Sequence, residues 1–85
     1  MRPGAVVYSK AGRDKGEPFI VLSCDGAYAY LTDGQSRPLD KPKKKKLKHI
    51  QPTNATMEDI GYKIEHNLHL MDSDIKKALQ LVKKP

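Results

Sequence analysis

Two groups of cationic side chains stand out as the residues of this chain that could bind a ligand. One is the lysine-rich run at residues 41–48, KPKKKKLK, and the other lies in the glycine-bounded segment at residues 10–16, KAGRDKG. A lysine ammonium is a point charge that contacts phosphate, whereas an arginine can donate two parallel hydrogen bonds to it. The pattern predicts a surface that binds a polyanion. Its candidate residues are Lys10, Arg13, Lys15, Gly16, Arg37, Lys41, Lys43, Lys44, Lys45, Lys46, Lys48 and His49.

The positive charge is concentrated in one half of the chain. Residues 1–50 contain eleven Lys or Arg and five Asp or Glu, whereas residues 51–85 contain five of each. The whole net charge of +6 on the 85 residues therefore lies in the first half. Such asymmetry indicates that one half faces a polyanion while the other has a different role.

The lysine run has a second interpretation, as a solvated loop that keeps a small domain in solution. Leu47 and Ile50 anchor the run to a predicted strand, which argues against a free tail. A strand-tethered run beside the loop at 10–15 would make a continuous positive edge, and this favours phosphate binding.

Other functional classes find little support in the sequence. No set of nucleophile, base and acid stands out, so we do not expect an enzyme. The three histidines and the single Cys24 lack a recognisable zinc pattern, so we expect no metal and no other cofactor. No apolar run reaches the roughly 18 residues of a membrane span, and the N-terminal apolar stretch is too short for a signal peptide. A lone cysteine fits a reducing compartment, so we expect a cytoplasmic protein without membrane contact.

The first half of the chain is typical of short strands separated by turn residues. Five strands within about 50 residues suggest a small, highly curved antiparallel barrel. This barrel is expected to occupy residues 1–52. Gly16 is expected to close a tight loop in which a Cβ would clash. The strands are predicted at residues 5–9, 19–23, 27–32, 36–39 and 46–50.

The sequence changes character at Gln51-Pro52, after which apolar residues recur every three or four positions. A short linker is followed by a predicted helix at 56–67, with Thr56 as its N-cap, and by a second helix at 73–84 that ends at Lys83-Lys84. Residues 53–85 are thus predicted to form a helical hairpin. Its apolar stripe is expected to pack on itself or on the barrel, and the alternative is a docking face for another protein.

The segment PGAVVYSKAGRDKGEPFIVL, residues 3–22, resembles the KOW motif, a β-loop-β unit of SH3-like barrels. Gly4 precedes a Val-rich strand, and Gly12 and Lys15-Gly16 lie in the loop before a second apolar strand. With DGQSRPLDKPKKKKLKHIQPTN added, residues 3–54 are similar to small KOW-domain RNA-binding proteins of Gram-positive bacteria. Those proteins in turn resemble large-subunit ribosomal proteins of the eukaryotic and archaeal type. Pro18 departs from the general KOW pattern.

This resemblance implies a mainly β fold with an α tail, in which an SH3-like five-stranded barrel precedes the helical hairpin. It also implies binding of structured RNA, with ribosomal RNA or the ribosome as the expected partner and the twelve candidate residues above as the RNA-binding set. The alternative is a protein-interaction adaptor of the transcription or translation machinery. Tyr28 and Tyr30 share one strand face, where they either fill the core or stack on an unpaired base.

Overall fold

A computed structural model describes residues 1–82 as a five-stranded antiparallel sheet followed by two helices. The strand order across the sheet is β4-β3-β2-β1-β5, so the first four strands form a meander and β5 returns to pair with β1. The predicted mainly β architecture with a helical C-terminal part is confirmed. The elements are β1 (Ala5–Ser9), β2 (Pro18–Asp25), β3 (Tyr28–Thr32), β4 (Lys43–Lys46), a 3₁₀ turn (Leu47–His49), β5 (Ile50–Thr56), α1 (Glu58–Glu65) and α2 (Asp72–Val82).

Both faces of the central strands are buried, which explains why β1 and β2 are apolar at consecutive positions. Val7, Phe19 and Val21 point to one face, where they pack with residues of β3 and β5 in an inner core. Val6 and Ile20 point to the other face. A strand that is covered on both sides needs no alternation of apolar and polar residues.

The two helices cover the outer face of the sheet at β1 and β2. Ile60 of α1 and Ile75 and Leu79 of α2 are buried against Val6 and Ile20. The apolar stripe of the helices therefore packs on the sheet, which was one of the two arrangements expected for it. Neither described helix is long and apolar enough to cross a membrane.

Two glycines bring α1 against the start of β1. A Cβ on Gly61 would lie 2.5 Å from the carbonyl oxygen of Pro3, and a Cβ on Gly4 would lie 2.6 Å from that of Met57. Gly4 also has a φ of +90°, and its carbonyl accepts a hydrogen bond from the N–H of Met57 at 2.8 Å. Gly61 is thus a close-approach position as well as a helical residue that lowers helix propensity.

Several predicted element boundaries are wrong. Residues 36–39 form no strand, because Asp33 accepts backbone hydrogen bonds from Gln35 and Arg37 and holds this segment as a loop. The predicted strand at 46–50 is not one strand, because Lys46 ends β4, Leu47–His49 form a 3₁₀ turn and Ile50 begins β5. The predicted linker belongs to β5, which crosses the predicted boundary at residue 52.

The helix ends also differ from the prediction. Helix α1 begins at Glu58 and ends at Glu65, and its N-cap is Met57, whose side chain makes no capping hydrogen bond. Thr56 is instead the last residue of β5. Helix α2 spans Asp72–Val82, and the predicted end at Lys83-Lys84 lies outside the described residues.

Candidate nucleic-acid interface

The central part of the lysine run is an edge strand whose side chains alternate between two environments. In β4, Lys45 is buried and Lys43 is partly buried, whereas Lys44 and Lys46 are exposed. Strand β4 pairs with β3, which places Lys43 and Lys45 opposite the inward-facing residues of that strand. The four lysines therefore do not form one uniform cluster of free charges.

Asp14 binds the two inward-facing lysines. Its Oδ1 lies 3.2 Å from Nζ of Lys45, and its Oδ2 lies 3.2 Å from Nζ of Lys43. Lys45 also donates to the carbonyl oxygen of Ala11 at 3.1 Å, and Ser9 Oγ donates to Asp14 Oδ1 at 2.7 Å. These contacts fasten the loop between β1 and β2 to β4.

This arrangement changes the pKa of the Asp14 carboxyl. Partial burial raises the pKa, but the hydrogen bonds from Ser9, Lys45 and Lys43 outweigh that effect and lower it from 3.8 to about 2. The charged form is favoured because each partner interacts more strongly with a carboxylate than with a neutral acid. Asp14 is therefore ionised at neutral pH and neutralises part of the charge of the two lysines.

The outward-facing lysines share their side of the sheet with two tyrosines. Lys44 is the cross-strand partner of Tyr30, and Lys46 is that of Tyr28. Directly opposed residues of paired strands lie on the same face. We call these four residues the tyrosine–lysine face. Its tyrosines are half-buried, so they do not fill the inner core, whereas Ala29 between them is fully buried there.

Within this face, Lys44 contacts an aromatic ring. Its Nζ lies 4.5 Å from the ring centroid of Tyr28. A cation–π contact made by an exposed cation is worth about 0.5–1 kcal/mol. The contact places the Lys44 ammonium beside the sheet and next to the Tyr28 ring.

The loop between β1 and β2 presents Lys10, Arg13 and Lys15, whose side chains are all exposed. The N–H of Gly16 donates to the carbonyl of Ser9 at 2.8 Å and closes the loop. Gly16 has a φ of +87°, but a Cβ there would meet no atom within 4 Å. The expected steric clash is therefore wrong, and the backbone conformation is what favours glycine.

Arg13 and Arg37, which are far apart in the sequence, line the same open cleft. The cleft has a volume of about 510 Å³ and lies between the loop after β1 and the loop after β3. Lys43 also lines it, but so do the carboxylates of Asp14, Glu17 and Asp33. Because cations and carboxylates are equal in number here, this cleft is less favourable to phosphate than the exposed lysines around it.

The remaining candidate residues lie at the two ends of β4. Lys41 is exposed in the loop before the strand, and Lys48 is exposed on the 3₁₀ turn after it. His49 lies in that turn, and its carbonyl accepts a hydrogen bond from the N–H of Lys10 at 2.8 Å. This bond brings the end of the lysine run next to the start of the basic loop.

Sequence reasoning missed the role of Asp14 and Ser9, which order the basic loop without contributing positive charge. The available signal was that Asp14 is the only acid within KAGRDKG. Among residues 1–82, no group of three or more His, Cys, Asp and Glu side chains is arranged to hold a metal ion.

The chain was compared with models of known protein families and with curated proteins. Neither comparison found a match.

Proposed function

We propose that this protein binds structured RNA, first of all ribosomal RNA, and works in the cytoplasm as a non-catalytic, ribosome- or translation-associated protein. The observation that carries the proposal is the alternation in β4. Two lysines and Asp14 order the basic loop, while Lys44 and Lys46 project outward next to two tyrosines. A cationic surface on ordered backbone loses less conformational entropy than a free lysine tail when it binds the regularly spaced phosphates of RNA, so it binds them more tightly.

The exposed cations around β4 would contact phosphates and set the binding orientation. Lysines contact the backbone without reading bases, so this contribution is largely independent of sequence. Counterion release makes it depend on salt, with a slope of about −0.7 for each neutralised phosphate on single strands and about −0.9 on duplexes. The contributing residues are Lys10, Lys15, Lys41, Lys44, Lys46 and Lys48.

We further propose that the sheet curls into an SH3-like barrel of the KOW type. Strands β4 and β5 are the two edges, yet only the 3₁₀ turn Leu47–His49 separates them along the chain. In a flat sheet of five strands the edges would lie about 19 Å apart. A 3₁₀ segment rises only about 2 Å per residue, so strong curvature is needed to bring the edges together.

The test is sedimentation of the tagged protein with ribosomes at low and high salt, followed by sequencing of crosslinked RNA. Lys44→Gln/Lys46→Gln removes outward charge without touching Asp14. We expect this variant to dissociate from ribosomes at lower salt than the wild-type protein does. Binding that persists after nuclease treatment and does not respond to salt would contradict the proposal and favour a protein-interaction adaptor.

A further inference from the structure

We infer that the tyrosine–lysine face binds unpaired bases of the RNA. Tyr28 and Tyr30 stack on the bases, and Lys44 and Lys46 contact the phosphates beside them. The inference rests on the proposed RNA binding and deepens it, because it names single-stranded segments as the part of the RNA that this face recognises.

The spacing of the two rings supports stacking on a single strand. Tyr28 and Tyr30 are two residues apart on β3, so their Cα atoms lie roughly 6.6 Å apart along the strand and their side chains project to the same face. The inner side is already filled, since Ala29 and Leu31 are fully buried there. Both rings are therefore held on the outer side, as in sheets that stack successive bases on aromatic residues.

This part of the outer face lies beyond the residues that the helices bury. On the same face, Val6 and Ile20 lie beneath α1 and α2 and are fully buried. Tyr28 and Tyr30 are only half-buried, and their partners Lys44 and Lys46 are exposed. The part of the outer face that the helices do not bury thus presents aromatic and cationic groups side by side.

Charge and shape favour an unpaired segment over a duplex. In a duplex the faces of the bases are covered by their neighbours, so that only unpaired bases can lie on a tyrosine ring. The two lysines are on β4, whereas the exposed Asp25 pairs with Tyr28 from β2. Phosphates are attracted to the β4 side of the rings and repelled from the β2 side, which sets the path of the strand.

The contact between Lys44 and Tyr28 fits the same role. In the free protein the ammonium lies over the ring at 4.5 Å from its centroid. A base that stacks on that side displaces the ammonium, which is then free to contact the adjacent phosphate. The ring and the cation then bind the base and the phosphate of one nucleotide instead of each other.

The experiment measures affinity for a short single-stranded oligouridine and for a blunt duplex with the same number of phosphates, at fixed salt. The test variant is Tyr28→Val/Tyr30→Val, which keeps β-forming residues but removes both rings. Tyr28→Phe/Tyr30→Phe keeps the rings. Tyr62→Leu is the control, because Tyr62 is an exposed tyrosine on α1. The chain has four tyrosines and no tryptophan, so the tyrosine emission of the wild type minus that of the valine variant reports on Tyr28 and Tyr30.

We expect the valine variant to lose affinity for the single strand on the order of tenfold or more, with little change for the duplex. Tyr62→Leu should bind as the wild type does, and the phenylalanine variant, which keeps both rings, should restore most of the affinity that the valine variant loses. The single strand should quench the tyrosine emission of the wild type. If the wild type binds RNA and the valine variant binds the single strand equally well, the inference is overturned and the proposed function stands. If the wild type binds neither RNA, both are overturned.

Discussion

Lys45 of β4 and Asp14 of the loop after β1 form a largely buried ion pair across 31 residues of sequence. The Lys45 side chain is 8% exposed, and that of Asp14 is 17% exposed. Desolvation of such a pair is offset only when further hydrogen bonds satisfy both groups. Here Ser9, at the end of β1, and Ala11, in the loop, supply those bonds, and the same loop presents Arg13 and Lys15.

Asp14→Asn is expected to lower the free energy of unfolding by about 1–3 kcal/mol at neutral pH, because it leaves Lys45 charged and largely buried without a carboxylate. Urea unfolding measures the change. Asp40→Asn, at an exposed position, is the control and should change stability by less than about 0.5 kcal/mol. Equal stability of the two variants would contradict the structural role of Asp14.

The contribution of Asp14 should disappear in acid. Its pKa in the folded protein is lowered to about 2 from 3.8, so its stabilising effect is complete above pH 3.8 and is lost as the pH falls through about 2. Wild type and Asp14→Asn should therefore differ in free energy of unfolding at pH 7 and converge near pH 2. Partial burial raises the pKa of the Asp33 carboxyl, but the hydrogen bonds that it accepts outweigh burial and lower the pKa, and this effect is common to both proteins. A difference that stays constant down to pH 2 would show that ionisation of Asp14 is not its cause.

Two double substitutions in β4 remove the same amount of positive charge, but we expect one to affect mainly stability and the other mainly RNA binding. Lys43→Gln/Lys45→Gln breaks both pairs with Asp14 and should cost about 1–3 kcal/mol of stability. Lys44→Gln/Lys46→Gln removes the contact between Lys44 and Tyr28 and should lower stability by no more than about 1 kcal/mol. It should also reduce the salt dependence of RNA binding by about 0.7–0.9 for each phosphate that is no longer neutralised. Thermal unfolding and affinity titrations at several salt concentrations separate the two effects. If the two variants lose the same stability and the same RNA affinity, the inward and outward orientation of the lysines in β4 does not determine what each lysine does.

Gly61→Ala should destabilise the protein although alanine is the better helix former. Helix propensity alone predicts a gain of about 1 kcal/mol. The new Cβ would lie 2.5 Å from the carbonyl oxygen of Pro3, so α1 or the start of β1 must shift, at a cost of about 1–3 kcal/mol. Calorimetry gives the melting temperature, and Gln80→Ala on the exposed side of α2 is the control. A higher melting temperature for Gly61→Ala would show that the close approach is not limiting.

We expect Arg13 to contribute to discrimination between RNAs, whereas the lysines contribute affinity for any RNA. Arg13→Lys keeps the charge but removes the two parallel donors, so it should reduce affinity for the RNA recovered by crosslinking more than affinity for a random duplex. Lys44→Gln is the comparison at an exposed lysine and should weaken binding to both RNAs. The measurement is the ratio of the two affinities at fixed salt. An unchanged ratio for Arg13→Lys would mean that the loop supplies only positive charge.

The apolar strands could be predicted because their signal is local. Residues 5–9 and 19–23 are β-branched or continuously apolar, and both lie in strands. Strand β4 had no such signal, since four identical lysines show no alternation. The burial of Lys45 depends on Asp14, which is distant in sequence, and no pattern within the run reveals it.

Strand β5 was mistaken for a linker because Pro52 and its polar neighbours resemble turn residues. The structure places β5 at an edge of the sheet, where Pro52 pairs with Val7. Proline is accommodated on an edge strand although it has no N–H to donate to the ladder. The opposite error occurred at residues 36–39, where the Asp33 side chain satisfies backbone groups that a strand would otherwise have paired. In both cases the secondary structure depends on a group outside the segment, which is β1 for residues 50–56 and the Asp33 side chain for residues 36–39.

Because β1 pairs with β5, the sheet cannot be completed during synthesis until β5 has left the ribosome. A nascent chain that ends at Lys46 contains the whole meander from β1 to β4, and these strands pair with near neighbours in the sequence. One side of β1 still lacks its partner, and Val6 and Ile20 still lack the helices that bury them. Strand β1 is synthesised before the other strands of this sheet but is among the last to be completed, and a translating ribosome must release the chain through α2 before this core is covered.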